Sequence, residues 1–178
     1  MRLLSHILVF LVINILVFSF QGCQEKNPAS GSKNPADYKE PLINANKEAV
    51  KEENDQIEDF IRRHQWKMEK TSTGLRIMKT KNGIGARAQK GMNVKLSYSV
   101  TLLTGDTLYT AVKDGPLVFN VGKGQVISGL EEAILLLNVG DRAKIIIPSH
   151  LAFGLIGDQK KIRHKATLVY DVEFISMY

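Results

Sequence analysis

The stretch Val94-Lys95-Leu96-Ser97-Tyr98-Ser99-Val100-Thr101-Leu102-Leu103-Thr104-Gly105-Asp106 alternates apolar and polar residues before it turns. Val94, Leu96, Tyr98, Val100 and Leu102 fall on one face and Lys95, Ser97, Ser99 and Thr101 on the other, the pattern of a strand with one side in a core. Thr104-Gly105-Asp106 supplies a tight turn. Further on, Leu117 to Val121 reads as a second short strand. Ser128-Gly129 opens a helix over Leu130 to Leu137, with Glu131 and Glu132 in the first turn, where the helix dipole favours anions. Asn138-Val139-Gly140-Asp141 ends it, and Arg142 to Ile147 and Ala166 to Phe174 follow as strands rich in Val, Ile and Leu. On the N-terminal side, Leu75, Ile77 and Lys79 alternate with Arg76 and Met78 before a turn at Lys81-Asn82-Gly83. Several antiparallel strands around one short helix imply an α+β fold, a curved antiparallel sheet wrapped over a central helix.

Before Gly74 the periodicity is helical. Residues 44–64 lack Gly and Pro, and Ile43, Val50, Ile57 and Ile61 recur at steps of seven and four with Phe60 beside them. That is a narrow apolar stripe on an N-terminal amphipathic helix. It fits packing on its own domain, and its heptad-like step also fits self-association through residues 43–64. Residues 24–38 are rich in Asn, Pro, Ser, Gly and Lys with little to bury, as in a flexible spacer.

The chain opens with Met1-Arg2, an apolar run from Leu3 to Phe20, and Gln21-Gly22-Cys23. A cationic start, an apolar middle and small residues before a cut form a secretory leader. An uncleaved anchor is the alternative, since about 20 apolar residues span a bilayer. His6, Asn14 and Ser19 dilute the run, and the chain's one cysteine sits directly behind a glycine. The expected organisation is therefore a leader over 1–22, a tether over 23–40, the amphipathic helix and its connection over 41–70, and a domain over 71–178.

A single cysteine precludes an intramolecular disulfide and any CxxC or Cys/His zinc arrangement, so the fold must rest on its core. His6, His64, His150 and His164 share no metal-ligand spacing, and no metal is expected. Gly122-Lys123-Gly124 lacks the GxxxxGK[ST] frame and Ser149 lacks GxSxG, so neither nucleotide nor hydrolase chemistry is supported. The formal charge is +6. Behind a secretory leader such a balance points to anionic lipid head groups or solubility rather than nucleic acid.

The ordered blocks resemble the FKBP-type peptidyl-prolyl cis/trans isomerases. Tyr98 with Thr104-Gly105-Asp106-Thr107-Leu108 is similar to the family's tyrosine and hairpin, and Val121 through Ala133 to its signature loop and helix start. Val139 to Lys144, Ile147 to Gly154 and Ala166 to Glu173 complete the set in family order. The amphipathic helix, Trp66-Lys67-Met68 and Ile147 to Gly154 most resemble the FKBP-type lipoproteins associated with gliding motility in Bacteroidetes, and the leader resembles a lipoprotein signal with Cys23 as the lipidated residue. The resemblance departs from the usual lipoprotein pattern at Phe20 and Gln21.

What the resemblance implies is an enzyme that rotates X-Pro bonds of exported chains, or a catalytically weak binding or chaperone module of an envelope machinery. Either would be tethered by lipid at the cell envelope, on the periplasmic face. The reaction needs no cofactor: the amide barrier is ~18–20 kcal/mol, and an apolar, water-poor pocket stabilises the less polar twisted state. By resemblance, the catalytic positions are Tyr98, Tyr109, Ile127 and Phe153, and the substrate-binding positions are Leu108, Leu117, Gln125, Val126, Leu130, Ile162 and Tyr170. The amides of residues 125–127 would pair with the substrate backbone. Tyr109 stands where the family has a pocket aspartate, so this pocket is expected to lack that carboxylate. Leu108 and Leu117 replace phenylalanines, and Phe153 replaces a tyrosine. The basic run Gln159 to Lys165 would lie on the pocket rim, as a solvated face or as a steering patch for acidic clients.

Overall fold

The structure is a computed structural model that describes residues 35–178. The expected leader over 1–22, Cys23 and the first part of the tether lie outside the described residues. Helix α1 spans Pro35–His64. It begins before the expected Asn44, so residues 35–40 of the expected tether are helical. Pro35 is preorganised for the first helical turn, and the helix runs through the interior Pro41, which removes one backbone donor. Among the described residues no helix is long and apolar enough to cross a membrane.

After α1 come strands β1 (Glu69–Lys70), β2 (Arg76–Lys81), β3 (Asn93–Leu102) and β4 (Thr107–Thr110). A one-turn helix α2 (Ala111–Asp114) separates β4 from β5 (Leu117–Asn120). Helix α3 (Ser128–Ile134), β6 (Arg142–Ile147), a 3₁₀ turn (Ser149–Leu151) and β7 (Leu168–Met177) complete the chain. The strands form one antiparallel sheet in the order β1-β2-β6-β7-β3-β4, with β5 also paired to β3. β4 takes the end of β3 near Val100, and β5 takes the other end from Asn93 to Leu96.

Element ends shift by a few residues from the sequence reading, two of them with a clear cause. Helix α3 stops at Ile134 because Leu136 and Leu137 donate to Ala133 and Ile134 in tighter turns at 3.0 and 2.9 Å. Strand β7 runs on to Met177 because Tyr178 and Asn93 exchange backbone hydrogen bonds at 2.8 and 2.9 Å. The strand β1 and the short α2 had no clear periodicity to betray them.

The inner face of the sheet packs on α3. Val94, Leu96 and Val100 of β3, Ile145 and Ile147 of β6, and Leu168, Tyr170, Val172 and Phe174 of β7 join Leu130, Ala133, Ile134 and Leu137 in the main core. Gly129 makes this close approach possible: a Cβ there would lie 2.4 Å from the Ile147 side chain. On the outer face, α1 buries Ile57 and Phe60 against Ile146 and Val169, with Ile61, Trp66, Met68 and Leu103 at the margin. The helix thus packs on its own domain through the second half of its stripe, while Ile43 and Val50 remain 40% and 57% exposed. Burying two such side chains stabilises this docking by roughly 3–5 kcal/mol of transfer energy before the entropy of ordering is charged against it.

A polar seam supplements that contact. Arg76, on the β2 face opposite Leu75 and Ile77, is buried beneath α1, where it donates to Asn54 and to Gly74 O and reaches Glu58 at 2.8 Å. Glu53 accepts from Ser149 N at 2.7 Å, Ser149 Oγ at 3.0 Å and Thr167 Oγ1 at 2.6 Å. One carboxylate of α1 therefore holds both stems of the long loop between β6 and β7.

Candidate functional site

On the inner side of the sheet a cavity of about 370 Å³ is lined by Tyr98, Val100, Tyr109, Leu117, Gln125, Val126, Ile127, Leu130, Phe153, Ile162 and Tyr170. Each wall has a local cause. Alternation on β3 and β7 sends Tyr98, Val100 and Tyr170 inward. Leu130 rises from the first turn of α3 as the floor, 1% exposed. Phe153 and Ile162 come from the β6–β7 loop; Phe153 is on the rim at 36% exposure, whereas Ile162 is buried.

The structure gathers all but one of the residues expected from the resemblance. Leu108 is the exception, a correction to its assignment as a substrate contact. The β3–β4 register shifts beside it, between Val100 and Thr101, and Leu108 is buried in the main core, whereas Tyr109, paired with Val100, lines the cavity. Val100 was not singled out, although it lies on the same alternating face as Tyr98.

The loop between β5 and α3 is fixed by its own side chains. Gln125 Oε1 accepts from Asn120 N at 2.8 Å, and Glu131 Oε1 accepts from Gly124 N at 2.9 Å. The backbone amides of Gln125, Val126 and Ile127 donate to no protein acceptor among the described residues, which leaves them open to an extended chain laid along this edge.

Three phenols surround the cavity. Burial raises the Tyr98 hydroxyl above the ordinary phenol range, with Asp114 adding to it. Burial likewise raises Tyr170, assisted by the neighbouring phenols Tyr98 and Tyr109. Both remain protonated donors at neutral pH. Tyr109 is pushed up to about 12, chiefly by the hydrogen bond from its hydroxyl to Asp158.

That bond answers the expectation that the pocket lacks a carboxylate. Asp158 is contributed by the β6–β7 loop rather than by β4, and its Oδ2 accepts from Tyr109 Oη. Its other oxygen, Oδ1, accepts from the amides of Lys160 at 2.9 Å and Ile162 at 2.7 Å. Burial alone would raise the Asp158 carboxyl, but the bonds from Tyr109 and these amides outweigh it and hold it below the usual range. Lys161 lies over the Tyr109 ring, 4.6 Å from its centroid, and donates to Leu108 O at 2.8 Å. One ammonium of the basic run is therefore committed to the pocket wall rather than to solvent. Sequence reasoning missed Asp158, because its partner is 49 residues away.

Such a site offers an apolar cavity, phenol donors and open backbone amides, and no nucleophile is positioned in it. Among the described residues no cluster of His, Cys, Asp and Glu could hold a metal. Binding of a planar amide and relative stabilisation of its twisted form is the chemistry this arrangement supports.

Comparison with known proteins agrees. FK506-binding protein 2 of Dictyostelium discoideum is 38% identical over 92 residues, which cover 51% of this chain and 69% of that protein. Peptidyl-prolyl cis-trans isomerase FKBP11 of Bos taurus is 40% identical over 87 residues, covering 49% of this chain and only 43% of the bovine protein. Among solved structures, FkpA from Escherichia coli superposes with a TM-score of 0.63 at 28% identity, covering 76% of this chain and 63% of that one. The family described as FKBP-type peptidyl-prolyl cis-trans isomerase matches residues 85–175. With that match spanning half the chain and every wall of the cavity, the chain belongs to the FKBP-type peptidyl-prolyl cis-trans isomerase family, and its enzymatic class is peptidyl-prolyl isomerisation.

Proposed function

We propose that the domain rotates X-Pro bonds in extended or unfolded segments of exported proteins and so assists their folding at a bacterial cell envelope. In this reading lipid on Cys23 holds the chain on the periplasmic face of a membrane. The observation that carries the catalytic part is the apolar cavity with Tyr98 and Tyr170 protonated at its wall and the amides of residues 125–127 open at its edge. The leader ending at Gly22-Cys23 and the spacer behind it support the envelope part. Resemblance of the helix and loop blocks to gliding-associated lipoproteins supports service to an envelope machinery of that type.

A proline-peptide assay tests the catalytic reading: a rate above the uncatalysed one, lost in a Phe153→Ala, Ile127→Ala double variant, is expected, and no rate at high enzyme concentration would sink it. Fractionation of cells carrying Cys23→Ser tests the tether, which requires the protein to leave the membrane fraction. Loss of colony spreading on deletion of the chain would support the gliding role, and unchanged spreading would remove it.

A second reading, a binding or chaperone module, is favoured by one feature: the Tyr109 hydroxyl is engaged by Asp158 rather than aimed into the cavity. Suppression of client aggregation that survives blocking the cavity would support it. Self-association through 43–64 is narrowed to the exposed Ile43 and Val50, since Ile57 and Phe60 are committed to the domain. Sedimentation of the Ile43→Lys, Val50→Lys variant tests it: an unchanged mass would remove it.

A further inference from the structure

The loop from Gly154 to Thr167 supplies a cavity wall through Ile162, yet it carries no regular secondary structure to hold that residue in place. Its order comes instead from a compact turn. Asp158 N donates to Ile162 O at 3.1 Å, while Ile162 N and Lys160 N return to Asp158 Oδ1. Gly157, at φ +72°, lies so close that a Cβ there would meet Ile162 O at 2.2 Å, and Gln159 takes a left-handed conformation at φ +59°. A turn this tight, with a non-glycine residue at positive φ, needs external support to persist.

That support comes from β4. Tyr109 Oη binds the second oxygen of Asp158, and Lys161 returns to Leu108 O while covering the Tyr109 ring. Two adjacent β4 residues thus grip the loop at two points on either side of Gln159 and Lys160. One of those bonds ends on a carboxylate and the other begins on an ammonium, the stronger class of hydrogen bond.

We propose that Tyr109, Asp158 and Lys161 form a latch that preorganises the cavity by fixing Ile162 on its wall, with Asp158 and Lys161 as positioning residues for substrate binding. The proposal rests on the reading of the cavity as the X-Pro site. A side chain fixed in advance saves the ordering cost at the moment of binding, so the latch acts on affinity more than on the rotation step. Asp158 is not among the residues that line the cavity, and its carboxylate acts through the Tyr109 hydroxyl rather than on the substrate.

The test uses the full chain in detergent micelles, with an isotope-labelled X-Pro peptide as probe. Amide hydrogen exchange at Lys160 and Ile162 is read together with KM and kcat from NMR exchange. Tyr109→Phe deletes one hydroxyl and keeps the ring, so the fold is retained. It is expected to speed exchange at both amides and raise KM by roughly tenfold each, as loss of a charge-assisted bond would; kcat is read in Asp158→Asn, which lies outside the cavity lining, and should stay within about twofold. Asp158→Asn should behave alike, and the double variant should be no worse than Asp158→Asn alone, because the two residues act through one bond. Lys161→Met should raise KM by about threefold. Unchanged exchange and KM in Tyr109→Phe, or a double variant equal to the product of the singles, would overturn the latch. A wild-type chain with no turnover would instead remove the catalytic reading, and the exchange data would still decide the latch.

Discussion

Tyr109 shows how one residue changes meaning when its neighbours are known. Read as a substitution for a pocket aspartate, it implies a missing carboxylate and suggests that Tyr109→Asp would raise the rate. In the structure a carboxylate already binds the phenol hydroxyl, so that variant would set two like charges beside each other and delete the bond between them. The expected outcome is a fall in kcat/KM of about tenfold in the proline-peptide assay, not a gain. Gly129 makes a second residue-level prediction. Because a Cβ would lie 2.4 Å from the Ile147 side chain and 3.1 Å from Leu151, Gly129→Ala should lose about 1–3 kcal/mol in denaturant unfolding, as overpacking does. It should also tilt α3 and disturb Leu130 on the cavity floor.

At the scale of elements, α1 is tied to the cavity through the loop that it anchors. Glu53 satisfies Ser149 N, Ser149 Oγ and Thr167 Oγ1 at once, and these residues flank the segment that carries Phe153, Asp158 and Ile162. Glu53→Ala is expected to cost roughly 2–3 kcal/mol by stranding those donors, and to lower kcat/KM although it lies outside the cavity. Denaturant melts paired with the peptide assay check both. Ile57→Ala, which empties a 1% exposed position between α1 and the sheet, should cost about 2–4 kcal/mol and leave KM nearly unchanged. The contrast separates apolar docking of α1 from its polar grip on the loop.

For the molecule as a whole, acid stability should be governed in part by Asp141, 1% exposed at the turn between α3 and β6. Burial opposes its charge, but bonds from Asn138 N at 2.8 Å, Lys79 Nζ at 2.8 Å and Gly83 N at 2.6 Å outweigh it and lower its pKa. A depressed carboxylate stabilises the fold above its unfolded pKa, and that contribution is lost as pH falls through the folded value. Stability should therefore be level from this source near neutrality and decline below about pH 4. Asp141→Asn, measured by urea melts from pH 7 to pH 2, should flatten the acid limb. Tyr109 works in the opposite sense: with its pKa raised to about 12, its contribution is complete below the ordinary phenol value near 10 and is lost as pH rises through 12.

The alternation of β3 and the helix signals before α3 made the α+β fold legible, because a half-buried strand and a capped helix write their periods into adjacent residues. The cavity residues on β3, β7 and the signature loop were legible for the same reason, helped by a recognisable order of blocks. The run Ile145-Ile146-Ile147 also held a signal that both sheet faces are covered, since a strand with one wet face cannot place three isoleucines in a row at no cost. What only the tertiary structure decided were the contacts that join distant segments. Arg76 reads as a strand residue on the face of Met78, opposite Leu75 and Ile77, and is buried under α1 by Asn54 and Glu58. Leu108 and Tyr109 read as a pair, and packing beside the β3–β4 register shift leaves Leu108 in the core while Tyr109 lines the cavity. Asp158 reads as one acid beside a basic run, and folding brings it onto the hydroxyl of a cavity-lining phenol. Local periodicity is set by the backbone's own repeat, whereas a hydrogen bond across 49 residues exists only once the sheet has brought its two ends together.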